Sequence, residues 1–383
     1  MPADHTSARV NCQRISTCSK WDHELKQTLE SPTSENVQVR RRRLWLLAQL
    51  ILGLGLLIAW ALIVDLPAVG RTLAQARWGY VLLSALIWLA SGILRTLRWR
   101  IVLSSVARLP FIDLWLVNAA AALINFLIPL RTAEIAKSLL LKHRHGTAIS
   151  SSLTSVAFDR VFDLLAVLGL GFGGAMLGAG LNADLSAMLI AGGALLLAFA
   201  LVVLLAFAVR NRLPALLARL WPARLGEKLL ARVQGMLEQV LRVMTMLVRK
   251  PKEVVPLLGL SLAAGLMDAL SLLCIFLALG SSASFLLVLT GYALFTLTFL
   301  IPSAPGYVGS MEALGLLVFG TLGVDHDLAA SVIVLNHALA ALLLGVTGGL
   351  AMSALGVKPG MAASVFGGGE AMDVSPARPK IDN

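Results

Sequence analysis

From Leu44 to Val64 the chain reads LWLLAQLILGLGLLIAWALIV, 21 residues without a charge. About 20 apolar residues in a row cross the hydrocarbon core of a bilayer as a helix. Inside lipid every backbone amide must find a partner within the protein, which leaves helices or closed barrels as the structures that span. Comparable apolar runs recur at 79–97, 111–130, 156–178, 185–209, 254–280, 283–301 and 328–355. The chain is 58% hydrophobic and 14% charged, with a mean hydropathy of +0.83. A soluble domain carries about 25% charged residues. The expectation is an all-α integral membrane protein with no large soluble domain.

Polar sequence is confined to the ends and one loop. Residues 1–39 read as a disordered cytoplasmic tail and not a signal peptide, because the first apolar run begins only at Leu44. Residues 40–355 form the transmembrane domain, and 356–383 read as a second disordered tail, rich in Pro and Gly. The net charge is +11, gathered at Arg40–Arg43, Arg95–Arg108, Arg131–Arg144 and 210–252. These clusters flank apolar runs, so positive-inside topology and anionic lipid explain them without nucleic acid. Cys12, Cys18 and Cys274 have neither metal-site nor disulfide-framework spacing. A phosphate-binding G-x-x-x-x-G-K-[ST] loop and an H-E-x-x-H zinc motif are both missing, and no Ser–His arrangement is recognisable. No cofactor, no metal and no enzymatic activity are expected.

The tetrapeptide FLIP occurs twice, in INFLIPLRTAEIAKS and in LTFLIPSAPGYVGSMEA. Each copy ends an apolar run with a proline, turns polar and then offers a glutamate. If 111–130 crossed fully, the basic stretch after it and the loop 210–252, with ten Lys/Arg against two Glu, would lie outside. Both would break the positive-inside bias. A hairpin over 111–141 that enters, breaks at Pro129 and returns keeps both stretches cytoplasmic. A second hairpin over 283–322 then enters from the opposite side, and both termini are cytoplasmic. The two units read as inverted repeats, each a hairpin followed by a full span. That span carries Asp159–Arg160 in the first unit and Asn336–His337 in the second, 30 and 34 residues after the FLIP proline. Broken helices in inverted repeats recur in transporters, with the site near the midplane. The expected architecture is a membrane helix bundle of six full spans plus two re-entrant hairpins; eight full spans is the alternative.

Four groups of residues carry candidate chemistry. Arg131, Glu134 and Lys137 lie at spacing three on the short arm, where Arg and Lys suit a phosphate; the plainer reading is a snorkelling helix end. Asp159, Arg160 and Asp163 open an apolar span, with Arg160 expected to take its partners from these two aspartates. They serve substrate handling, or they form an ion pair that locks helices. Pro302, Pro305, Gly306, Gly309 and Glu312 break a helix and start another, freeing amides for an anion; alternatively this is a tight turn capped by Glu312. Asp268, mid-span without a local partner, is a sharper candidate than His337, which reads as a hydrogen-bonded core histidine. Arg95, Arg98 and Trp99, in RTLRWR, read as an interfacial anchor that touches headgroups.

Taken together, R-x-x-R-W (Arg95, Arg98, Trp99), N-x-x-[IL]-P-x-R-x-x-E (Asn125, Pro129, Arg131, Glu134), D-R (Asp159, Arg160) and P-x-x-P-G-x-x-G-x-x-E (Pro302, Pro305, Gly306, Gly309, Glu312) resemble the flippase-like membrane region of lysylphosphatidylglycerol synthases. The resemblance covers roughly residues 44–355. Ala133 stands where the family often has glycine before the first glutamate. Synthases of this family carry a soluble aminoacyltransferase domain after the membrane region, whereas here the sequence ends about 28 residues after the last span. The resemblance implies translocation of a polar or anionic lipid, or a lipid-linked intermediate, across a bacterial-type inner membrane, without aminoacylation. Arg131, Lys137 and the amides after Pro305 would hold the headgroup, while Glu134, Asp159 and Glu312 tune charge or carry a proton. The other reading is a non-transporting membrane partner of a lipid- or glycan-modifying enzyme, packed through the glycines and alanines of 166–197. Membrane lipids are the expected partners, and the identity of the lipid and the oligomeric state stay open.

Overall fold

The computed structural model describes residues 64–104, 107–127, 133–179, 251–299 and 303–357, with scattered positions between 51 and 62 and between 187 and 201. Among these, every regular element is helical. A short helix, α1 (Leu66–Ala74), is capped by Asp65, whose side chain accepts from the Ala68 amide. It is followed by α2 (Trp78–Leu103), α3 (Phe111–Leu127), α4 (Ala133–His145) and α5 (Ile149–Gly174), which runs into a π-turn at Ala175–Ala179. The second half holds α6 (Pro251–Ala278), α7 (Phe285–Thr298), a 3-10 turn at Pro305–Tyr307, α8 (Ser310–Thr321) and α9 (His326–Ala354). The described residues from 54 onward belong to one compact unit.

Four helices are long and apolar enough to cross a membrane: α2, α5, α6 and α9. They answer the expected runs at 79–97, 156–178, 254–280 and 328–355. The runs at 44–64 and 185–209 lie largely outside the described residues, so four of the six expected spans are seen. Each spanning helix is apolar on most of its circumference. On α9, Leu342, Val346 and Leu350 face outward at i, i+4, i+8, whereas Ile333, His337, Gly348 and Ala351 are buried. An outward face of this kind suits lipid rather than water.

Between the spans sit two pairs of shorter helices. α3 has 17 residues and α4 has 13, about 26 and 20 Å at 1.5 Å per residue. The start of α3 meets the end of α4, where Asp113 lies 3.1 Å from His145 Nε2 and 3.8 Å from Arg144. The chain therefore goes in along α3 and comes back along α4 to the level at which it entered. The second pair also doubles back: the Phe319 ring, near the end of α8, packs onto the middle of α7 at Gly291. These are the two expected hairpins; their prolines, Pro129 and Pro302, lie outside the described residues. Residues near the two breaks do meet, with the Phe126 and Tyr307 rings 6.2 Å apart.

Packing repeats as the sequence does. In the first half α3 packs on α4, and α4 on α5; in the second α7 packs on α8, and α8 on α9. The hairpins are exchanged between halves, α3 lying against α9 and α7 against α5. A glycine makes each exchange possible. A Cβ on Gly348 would lie 2.9 Å from the Ala119 carbonyl oxygen, and one on Gly174 would lie 3.2 Å from that of Leu286. The equivalent helices α2 and α6 pack along their length and run antiparallel. The Arg77 amide donates to the Ala278 carbonyl at 2.8 Å, Ser84 and Ser271 hydroxyls are 2.8 Å apart, and Ser91 donates to the Ala264 carbonyl at 3.4 Å. Equivalent helices of opposite direction are what an inverted repeat requires.

Candidate functional site

The apolar run after Trp78 loses its hydropathy at Arg95, yet α2 continues to Leu103. It can do so because two of its three arginines, Arg95 and Arg98, are turned toward partners inside the protein, while Arg100 is exposed at the helix end. Arg95 and Arg98, one turn apart, point across α2 toward α5 and α6. Arg98 donates from Nε to Asp159 at 2.7 Å and from Nη1 to Asp163 at 2.7 Å and Ser261 at 3.0 Å. Arg95 pairs with Asp163, and with Asp268 at 2.5 Å. The Tyr292 hydroxyl of α7 also donates to Asp268, at 3.0 Å. Arg98 and Trp99 are both 0% exposed. The expected interfacial anchor is thus turned inward: Arg98 and Trp99 are buried, and Arg95 is half-buried. The reason is charge, since three aspartates on α5 and α6 neutralise the two guanidinium groups.

The hairpin arm α4 closes the network on its other side. Arg160 donates from Nε to Glu134 at 3.0 Å, and its Nη1 lies 3.6 Å from Asp163. Lys137 is buried, its ammonium 4.9 Å from the centroid of the Trp99 ring. The indole N–H of Trp99 donates to Ser155 at 3.3 Å. Four cations (Arg95, Arg98, Lys137, Arg160) therefore gather with four carboxylates (Glu134, Asp159, Asp163, Asp268) on α2, α4, α5 and α6. Fully ionised, the set is neutral. Its members differ sharply in access. The Arg98–Asp159 side chains are 1% and 5% exposed, those of Arg160–Glu134 45% and 30%.

Several pairings differ from those the spacing suggested. Asp159 serves Arg98, not Arg160; Arg160 keeps the expected i,i+3 contact with Asp163 and adds Glu134 on the hairpin. Asp268 is not alone, because Arg95 and Tyr292 reach it from other helices. Arg131 lies outside the described residues, as does Pro302. Sequence reasoning named the acids and missed Ser261 and Tyr292, for which periodicity offers no signal.

The tip of the second hairpin forms a separate cluster. Gly306 has φ 66° and Gly309 φ 77°, and Tyr307 between them has φ 58°. Such left-handed backbone is natural for glycine and uncommon for tyrosine. Glu312 accepts the Gly309 amide at 2.8 Å through Oε2. The amide expected to be free for an anion is therefore committed to capping α8. The other carboxylate oxygen of Glu312 lies 2.5 Å from His337 Nδ1, and His337 Nε2 lies 2.7 Å from the Gly306 carbonyl oxygen. Phe126 meets the imidazole edge-on at 6.0 Å, and Asn125 donates to the Tyr307 hydroxyl at 2.9 Å. Asn125, Pro305, Gly306, Gly309 and Glu312 thus assemble around His337, joining the long arm of one hairpin to the tip of the other.

Fold and site together define a class: an all-helical, multi-pass membrane protein built as an inverted repeat, with ionisable groups gathered inside the bundle. Residues 45–348 match the lysylphosphatidylglycerol synthase TM region, and the chain belongs to that family. A UPF0104 membrane protein of Methanothermobacter thermautotrophicus is 26% identical over 302 residues, covering 74% of this chain and 86% of the relative. No solved structure matches the chain.

Proposed function

We propose that the protein moves a polar or anionic lipid, or a lipid-linked intermediate, between leaflets of the cell inner membrane, itself performing no chemical step. One observation carries this reading: a neutral network of eight ionisable groups among spanning helices and the first hairpin arm, open at Arg160–Glu134 and closed at Arg98–Asp159. Ionisable groups within spanning segments are costly and mark substrate or ion paths. The half-exposed pair offers a headgroup a route in. A phosphate takes the Arg160 guanidinium from Glu134, with charge-assisted hydrogen bonds replacing those of the pair. The hairpin arm that carries Glu134 is then free to shift relative to α5. Buried Arg98, Asp159 and Trp99 hold the frame against which that shift occurs. The basic stretch 131–145 faces the cytoplasm in this reading, and so do both termini.

The test is reconstitution of the purified chain alone in liposomes, following transbilayer movement of phospholipids with fluorescent headgroups. Arg160→Gln should keep the protein folded and slow the movement at least about tenfold, the equivalent of one lost charge-assisted hydrogen bond. Mass spectrometry of co-purified lipids should show the anionic class depleted in the same variant. Wild-type protein that moves no lipid, while an enzyme of lipid or glycan modification co-purifies with it, would overturn the proposal.

A further inference from the structure

We infer that Glu312 and His337 form a binding site for one proton, and that this proton latches the tip of the second hairpin to α9. Donors and acceptors around the imidazole require it. His337 Nε2 faces a backbone carbonyl, Gly306 O at 2.7 Å, which can only accept. Nε2 therefore carries hydrogen. Nδ1 faces Glu312 Oε1 at 2.5 Å. A neutral imidazole has one N–H, already used on Gly306, and an ionised carboxylate has none. The short contact to Glu312 holds only if one further proton lies between the two groups, on Nδ1 or on Oε1. The remaining Glu312 oxygen is occupied by the Gly309 amide at 2.8 Å, so the carboxyl has no second orientation that keeps its cap.

The surroundings isolate this proton. Among the described residues Glu312 is the ionisable side chain in hydrogen-bond contact with His337, with the Gly306 carbonyl on its other nitrogen and the Phe126 ring beside it. The ionisable groups on neighbouring elements have other partners: Asp113 on α3 with Arg144 and His145, Tyr307 at the tip with Asn125, Tyr292 on α7 and Asp268 on α6 with each other. Arg71 stands on α1, which also packs on α9.

Removing the proton leaves two lone pairs facing each other across a hydrogen-bond distance. His337 can then bond Gly306 or Glu312 but not both, and a buried acceptor left without a donor is unfavourable. The tip already holds left-handed backbone at 306, 307 and 309, so it is the segment that gives way. The sign follows directly: the latch is closed with the proton bound and opens as pH rises through its release. For what the latch serves, the inference rests on the transport reading, in which a proton taken up on one side would set the position of the second hairpin.

Glu312→Gln decides the matter. A glutamine amide donates to Nδ1 while its oxygen still accepts from Gly309, so every partner is satisfied without an added proton. Hydrogen exchange of the full-length protein in nanodiscs, divided by the intrinsic chemical rate at each pH, is followed for peptides covering 303–312, with peptides from α6 as reference. In wild type, protection of 303–312 should fall about tenfold between about pH 5.5 and 9, with α6 unchanged. Glu312→Gln should stay protected across the range, and His337→Ala should be unprotected throughout. Unchanged protection in wild type, or a wild-type pH dependence retained in Glu312→Gln, would overturn the proton site. Lipid movement is not read in this experiment, so its failure is separable from failure of the transport reading.

Discussion

At the scale of single residues, the ion network divides into pairs that hold the bundle and pairs that can open. Asp159 and Arg98 are both buried, and Arg98 spans from α2 to α5 and α6. Asp159→Asn leaves a buried guanidinium with half its charge compensation gone, which costs about 3–5 kcal/mol when the partner stays behind. The expected outcome is low abundance and a lowered unfolding temperature in detergent. Arg160→Gln, at a pair about half exposed, should cost no more than about 1 kcal/mol, leaving abundance normal while transport falls. A stable Asp159→Asn protein together with a collapsed Arg160→Gln protein would reverse this assignment. The acids were legible in the sequence because charge inside an apolar run has no cheap explanation. Their partners were not, because RTLRWR is equally good as an interfacial anchor. Only the direction in which Arg95 and Arg98 project distinguishes the two, and that is set by where α5 and α6 pack. His337 was half-legible for the same reason: a hydrogen-bonded core histidine was plain, and its partner, 25 residues away at Glu312, was not.

At the scale of elements, the hairpins are held by close backbone approach at two glycines. Gly348→Ala would drive a methyl group onto the Leu123 side chain and the Ala119 carbonyl, and Gly174→Ala onto Thr290 and the Leu286 carbonyl. Overpacking of this kind costs about 1–3 kcal/mol. Gly345, on the same helix as Gly348, has open space where a Cβ would stand, with nothing within 4 Å, so Gly345→Ala should be neutral or slightly stabilising through helix propensity. Thermal unfolding of the three variants in one detergent checks the contrast. Equal losses at Gly348 and Gly345 would mean that α9 tolerates no alanine, rather than that the hairpin docks at Gly348. The hairpins themselves were foreseeable from proline, charge and length. Which span each would lie against was not, since exchange between halves leaves no trace in local spacing.

At the scale of the whole molecule, the repeat relates the two halves, and the positive-inside bias of the basic loops predicts which way the pair sits. Single cysteines at Lys142 and Asp327, in a background without Cys12, Cys18 and Cys274, should respond oppositely to a membrane-impermeant thiol reagent. Asp327 should label in intact cells and Lys142 only after the membrane is opened; labelling of Lys142 in intact cells would place the first hairpin on the outer side. The antiparallel packing of α2 against α6 gives this experiment its wider meaning. Two matching halves of opposite direction form a bundle that looks nearly the same upside down, so the fold does not choose an orientation. In such a bundle the choice of side falls to the lysines and arginines of the loops, outside the packing that holds the helices together.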